Sequence, residues 1–367
     1  MARRLLVVGT VWLLLHGYVG LRLFAHAPIA AGWRALGWAG VLLLALAPFV
    51  AFVAGRGERA SARSPLPGAA FTAMGLSSLL IVLAVAADVL RLSTWLGPGT
   101  ISIGIAGGAL ILLGVGAWQA RRPVVVRVAV PIANLPADLE GFRIVQLSDL
   151  HIGATLRRAF VERVVAAANG LAPDLIALTG DVADGFPPLL RDDVAPLGRL
   201  AAPHGKFFVT GNHEYYWDAP GWVRELERLG FSALVNAHRV IRRGAARLIL
   251  AGVTDQGASR RVPGHASDPA AAVAGAPVGD VRVLLAHQPT SAFAARRVGF
   301  DLQLSGHTHG GQYFPFNLLV RLFQPFVAGL HRLEAMWLYV SRGTGYWGPP
   351  LRLGAPSEIT LIELTRA

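Results

Sequence analysis

Gly306-His307-Thr308-His309-Gly310-Gly311 stands one residue, Ser305, beyond the short stretch Leu302–Leu304. A run of that length bounded by glycine reads as a strand. The two histidines therefore stand at a strand end, two residues apart, where both imidazoles can serve a cation. Four more segments have the same character. Ser148-Asp149-Leu150-His151 follows Arg143–Leu147, and Gly180-Asp181-Val182-Ala183-Asp184 follows Asp174–Leu178. Gly211-Asn212-His213-Glu214 closes Phe207–Thr210, and Ala286-His287-Gln288 closes Val281–Ala286. Taken singly these segments say little, because Asp-x-His and Gly-Asp-x-x-Asp recur by chance. Together they say much, since ligands gather beyond the carboxyl ends of strands in open α/β sheets. Five segments far apart in the chain can then converge on one rim.

Working outward, Val124–Val130, Leu248–Val253, Trp337–Ser341 and Ile359–Leu364 also read as strands. Arg158–Ala168, Trp222–Leu229 and Thr290–Arg297 carry helical periodicity. Alternating strands and helices predict an α/β domain with partly parallel strands.

In this order the five segments resemble the calcineurin-like metallophosphoesterase superfamily, over roughly Arg143–Leu364. The resemblance implies a sandwich of two mixed β-sheets flanked by helices. It implies two divalent metal ions, of the Mn, Zn, Fe or Mg type. Asp149, His151 and His309 match the ligands of the first metal, and Asp181 matches the bridging carboxylate. Asn212, His287 and His307 match the ligands of the second. His213 matches the residue that contacts the phosphate and protonates the leaving oxygen, a task suited to an imidazole near neutral pH. Asp184 and Glu214 match positions that orient the imidazoles. Two cations about 3.5–4 Å apart neutralise an ester's oxygens and acidify a bridging water. Gly310 and Gly311 are expected to let the backbone pass close to the metals. Gly310-Gly311-Gln312-Tyr313-Phe314-Pro315-Phe316 and the run from Ser341 to Arg352 look like a membrane-anchored bacterial subgroup and animal transmembrane proteins with the same domain.

The composition agrees with an anchored enzyme. Of 367 residues, 53% are apolar and only 15% charged, and the apolar excess lies in residues 1–122. Four stretches there, Leu5–Phe24, Ala35–Ala54, Ala69–Leu90 and Ile101–Ala120, each hold about the twenty residues that span a bilayer as a helix. The first lacks a small-residue cleavage site and reads as a retained helix. Residues 1–122 are thus expected to form a four-helix transmembrane region, and residues 123–367 the catalytic domain. Arg3, Arg4, Arg56, Arg59, Arg63, Arg121, Arg122 and Arg127 fall on one side of these spans, and only Arg22, Arg34 and Arg91 on the other. The positive-inside rule then places the catalytic domain in the cytoplasm. His16 lies within a span and Asp88 near a span end close to Arg91; neither is expected to form a proton path.

Cysteine is absent, so a metal must take nitrogen and oxygen ligands. The net charge is +12, with Lys206 the single lysine. No basic stretch with interleaved aromatics points to nucleic acid. The expected partners are a phosphorylated substrate, lipid- or nucleotide-linked, and the bilayer. His204, His238, His265 and His331 lie outside the segments and are not expected to bind the metals. Phe314, Phe316, Leu318, Leu319, Leu322, Phe323, Phe326 and Val327 form an apolar stretch fit either for a membrane interface or for the core. The loop around Tyr346 and Trp347 can wall the site or simply pack as a turn. The expected activity is phosphodiester or pyrophosphate hydrolysis. Phosphomonoesterase action, protein phosphatase action and a membrane sensor with a regulatory phosphoesterase domain are the alternatives.

Overall fold

A computed structural model describes residues 2–25, 27–54, 65–91 and 96–367. The chain divides into two compact units, one of Met1–Trp118 with Gly348–Leu353, the other of Gln119–Trp347 with Gly354–Ala367.

The second unit contains two six-stranded sheets among the described residues. Its strands are β1 (Val124–Ile132), β2 (Arg143–Leu147), β3 (Leu175–Thr179), β4 (Lys206–Val209), β5 (Ser232–Ala233) and β6 (Ala237–Arg243). The remainder are β7 (Ala246–Gly252), β8 (Val281–Leu285), β9 (Leu302–Ser305), β10 (Gly329–Leu333), β11 (Met336–Val340) and β12 (Glu358–Arg366). One sheet runs β1-β12-β2-β3-β4-β5 and the other β10-β11-β9-β8-β7-β6. Both are mixed: β12 lies antiparallel to β2, and β6 to β7, while β2, β3 and β4 are parallel, as are β7, β8 and β9.

Strand alternation sorts the core. Ile144, Ala177, Phe207 and Val209 of the first sheet share one buried cluster with Leu248, Leu250, Val283, Leu302 and Leu304 of the second. The opposite face of the second sheet buries Ala251, Leu284 and Leu338 with Ala292 and Ala295 of helix Ala292–Val298. Helix Arg158–Gly170 buries Phe160, Val161, Val164, Val165 and Ala168, the stripe expected of a helix lying on a sheet. The architecture is the two-sheet sandwich that the motif order implies. Three strands absent from the sequence reading, β5, β6 and β10, are all sheet edges. An edge strand is half solvated and needs no continuous apolar run. Of Ala237–Arg243 only Ile241 is buried, and charged residues such as Arg239 and Arg242 blunt the open edge.

The first unit holds helices Ala2–Gly20, Ala31–Ala54, Leu66–Arg91 and Pro98–Ala120. All four are long and apolar enough to cross a membrane. Leu14, Leu43, Ile103 and Ile111 are exposed on them, the all-round apolarity of a helix whose solvent is lipid. Their few polar groups are paired. His16 meets Ser77 at 3.1 Å and the Trp12 carbonyl at 2.9 Å. Asp88 accepts from Tyr18 at 2.7 Å and pairs with Arg22 at 2.6 Å. Leu351, in the segment grouped with these helices, packs where a side chain on Gly75 or Gly116 would stand. Arg56, Arg59 and Arg63, used for the orientation argument, lie outside the described residues.

Candidate metal centre

Each sequence-predicted ligand segment leaves a strand at its carboxyl end. Asp149 stands two residues past β2, Asp181 two past β3, His287 two past β8 and His307 two past β9; Asn212 stands three past β4. Parallel strands in both sheets thus aim their ends at one rim. Gln146 braces that rim from beneath, its amide donating to Thr179 Oγ1 and the Ser305 carbonyl, each at 2.9 Å. Side chains must turn sharply to face inward. Asp149, His151, Asp181, His307 and His309 all adopt left-handed backbone, with φ of 53°, 45°, 52°, 73° and 53°. That region is uncommon outside glycine, although Asp and His enter it more readily than most residues. Gly306 is needed for space: a Cβ there would meet Ser148 Oγ at 2.0 Å and Asp149 Oδ2 at 2.2 Å.

The donors fall into two groups. In the first, His151 Nε2 lies 3.1 Å from His309 Nε2, and His309 Nε2 lies 3.5 Å from Asp149 Oδ1. In the second, His287 Nε2 lies 3.2 Å from Asp181 Oδ2 and 3.2 Å from Asn212 Oδ1. His307 Nδ1 completes it, 3.0 Å from Asn212 Oδ1 and 3.2 Å from His287 Nε2. Asp181 Oδ2 also faces the first group, 3.8 Å from His151 Nε2.

These spacings fit cations. Two ligands each about 2.1 Å from one ion at tetrahedral or square angles stand roughly 3.0–3.4 Å apart. Proton placement fits as well. His287 Nδ1 donates to the Thr179 carbonyl at 2.8 Å, and His151 Nδ1 to Asp184 Oδ2 at 3.2 Å. Each ring therefore points its Nε2 at other acceptors, an arrangement that a cation or a proton at that nitrogen resolves. The electrostatics carry the same demand. Burial pulls the pKa of His287 down, but the Asp181 carboxylate outweighs it and holds the ring well above the usual histidine range. Burial raises Asp181, yet His287 and His213 hold it well below the carboxylate range.

His213 sits beside both groups. Its Nδ1 bonds Asp184 Oδ1, and its Nε2 lies 3.9 Å from Asp181 Oδ2. Burial lowers its pKa, and Asp181 and Asp184 more than compensate, raising it to about 9. Asp184 thus holds two imidazoles, one with each oxygen. Burial opposes its charge, but His151 and His213 keep it well below the carboxylate range.

Glu214 departs from expectation. It orients no imidazole; it accepts from the backbone N–H groups of Asp181 (3.0 Å), Val182 (2.7 Å) and Gly211 (2.7 Å). Burial and the Asp181 charge push its pKa up to about 7. The carboxylate pins the two turns that carry Asp181 and Asn212. Glu214→Ala strands three buried donors, an expected loss of about 3–5 kcal/mol. Thermal unfolding of the full-length protein checks it, with a fall in Tm of roughly 10 °C expected. Gly310 and Gly311 leave no room for a side chain: a Cβ on the first would strike Arg342, and on the second the Asn317 backbone.

Two aromatic residues flank His213. The Tyr216 ring lies 5.0 Å from it and the Trp347 ring 5.7 Å, while Arg261 lies over Tyr216 at 5.6 Å. Tyr216 is 55% and Trp347 53% exposed. Gln312 clamps the Trp347 backbone with both ends of its amide, at 2.9 and 3.0 Å, and so fixes the indole to the loop bearing His309. The sequence reading named Trp347 but missed Tyr216, whose signal was its place three residues after His213 on helix Asn212–Trp217. His204, His238, His265 and His331 belong to neither donor group.

The profile of the calcineurin-like phosphoesterase family matches residues 142–311, from β2 to the His309 loop. A Danio rerio transmembrane protein with metallophosphoesterase domain is 42% identical over 68% of this chain and 59% of its own length. A Bos taurus protein of the same description is also 42% identical, over 68% of this chain and 58% of its own. The chain thus spans about three-fifths of these relatives. An uncharacterised metallophosphoesterase of Aquifex aeolicus is 32% identical over 63% of this chain and 87% of its own length.

Proposed function

We propose, from the premise that this chain belongs to the calcineurin-like phosphoesterase family, that it is a membrane-anchored phosphohydrolase. It cleaves a phosphodiester or pyrophosphate bond of a lipid- or nucleotide-linked substrate with two divalent cations. One observation carries the reading: two nitrogen- and oxygen-donor groups converge on either side of one carboxylate, Asp181. Asp149, His151 and His309 would hold one cation and Asn212, His287 and His307 the other, with the Asp181 carboxylate available to both. A donor set without thiolate suits Mn, Fe, Zn or Mg. When bound, such ions neutralise the ester oxygens and acidify a water. The protein's own part is positioning and proton transfer. Asp184 locks the His213 ring so that Nε2 faces the site and carries a proton to the departing oxygen.

The flank of Tyr216 and Trp347 favours a diester over a monoester, because it offers apolar and planar surface to a second esterified group. Full-length protein in detergent, loaded with Mn, is expected to cleave bis-p-nitrophenyl phosphate in preference to p-nitrophenyl phosphate. Monoester preference moves the search to phosphatase substrates; no turnover despite bound metal favours a sensor. Trp347→Ala is expected to raise KM for the diester about tenfold with little change in kcat, the signature of lost ground-state contact. The four helices and the arginine asymmetry support a multi-pass anchor with the catalytic domain in the cytoplasm. A carboxyl-terminal reporter active only outside the cytoplasm overturns that orientation.

A further inference from the structure

One residue past His309 the metal loop borders a second cavity, of about 370 Å³. Gly310, Asn317, Arg321, Gln324, His331 and Arg342 line it, and no aspartate or glutamate among the described residues does. Arg342 spends its Nε on Glu358 at 2.6 Å. Arg321 is exposed and makes no ion pair among the described residues, so the lining is net positive. Asn317 and Gln324 each carry a buried side-chain oxygen without a hydrogen-bond partner among the described residues. The fold leaves that acceptor capacity unused, although buried amides are ordinarily satisfied.

The border of this cavity is apolar and turned to solvent. Phe314, Phe316, Leu318 and Leu319 are exposed, Leu322 is 75% exposed and Phe323 81%. The segment is not a core element, and the sequence reading needs one correction. Phe326 packs inward, 5.7 Å from Phe293 and 5.3 Å from His331, and does not belong with Phe323. A contiguous exposed apolar patch beside a basic polar hollow is unusual on a soluble surface. It matches a molecule with an anionic, hydroxylated head and a hydrocarbon body. The same chain carries four helices fit for a bilayer, which keep this domain within reach of such molecules.

We infer that the cavity and its border bind the headgroup of an anionic phospholipid. The phosphate sits on Arg321, headgroup hydroxyls donate to Asn317 and Gln324, and the chains lie against Leu318, Leu322 and Phe323. The site is one of binding and stands apart from the hydrolytic reading.

The test uses full-length protein in detergent, stripped of metal by a chelator so that the catalytic centre neither holds nor turns over an ester. Calorimetric titration compares dihexanoyl phosphatidylglycerol, dihexanoyl phosphatidylcholine and glycerol 3-phosphate. Phosphatidylglycerol is expected to bind at least about tenfold more tightly than phosphatidylcholine, which shares the phosphate but has no headgroup hydroxyl, the scale of two hydrogen bonds to otherwise unsatisfied acceptors. Arg321→Ala and Phe323→Ser are each expected to weaken both lipids, Gln324→Leu to abolish most of that difference, and Asp181→Asn to change neither. Equal affinity for the two lipids overturns the inference. So does an affinity untouched by Arg321→Ala or a preference that survives Gln324→Leu intact, either of which places the site elsewhere, or a preference lost in Asp181→Asn, which places it in the metal centre. Glycerol 3-phosphate binding as tightly as the lipid also overturns it, in favour of a soluble polyol phosphate.

Discussion

Asp181→Asn is expected to lower turnover of any substrate by more than about a thousandfold, because the shared anionic ligand is what lets two cations sit together. The carboxylate is 2% exposed and faces both donor groups, at 3.2 Å from His287 Nε2 and 3.8 Å from His151 Nε2. Its other oxygen accepts the His213 N–H at 2.8 Å. Asparagine keeps the shape and one acceptor but removes the charge. Metal content should therefore fall from two ions per chain to one or none, measured by elemental analysis after dialysis. Retention of two ions with full activity defeats the bridging role. Loss of activity with both ions retained points to an effect on the reaction alone. The fold should persist, since Glu214 still grips the Asp181 and Val182 backbone.

His213→Gln is expected to cost about a hundred- to ten-thousandfold in kcat while leaving metal content unchanged. The ring lies outside both donor groups, held by Asp184, with its free nitrogen toward the site. The informative readout is dependence on the leaving group. A nitrophenolate departs without help, whereas an alkoxide needs a proton. The variant should therefore lose at least about tenfold more activity on an alkyl diester than on bis-p-nitrophenyl phosphate. Equal losses on both substrates restrict His213 to contacting the phosphate.

The candidate centre was legible in the sequence because its parts are short, polar and attached to strand ends, so each appears as a break in an apolar run. Asp149, Asp181, Asn212, His287 and His307 could all be found by that rule. Glu214 was visible as a residue, but its role was not. A carboxylate that holds three N–H groups from two other loops depends on tertiary closure, which spacing does not encode. Tyr216 was hidden for another reason: its one signal, a place three residues after His213, tells nothing until the six residues are known to be a helix. The central strands were legible from β-branched and apolar runs. The edge strands β5, β6 and β10 were not, because one side of each faces water. The Phe314–Phe323 stretch looked the same whether destined for core or surface, and only burial separates Phe326 from Phe323.

The five left-handed ligand residues have a bearing on descent. At each, glycine or asparagine is the cheaper occupant, and the difference is of order 1 kcal/mol per position. A copy of this fold that had fallen idle gains stability from every such exchange, and ordinary mutation supplies them freely. Asp149, His151, Asp181, His307 and His309 still stand where a retired lineage drifts toward glycine. Backbone angle and side-chain identity are thus two separate records, and at these five positions both are what the proposed metal centre requires.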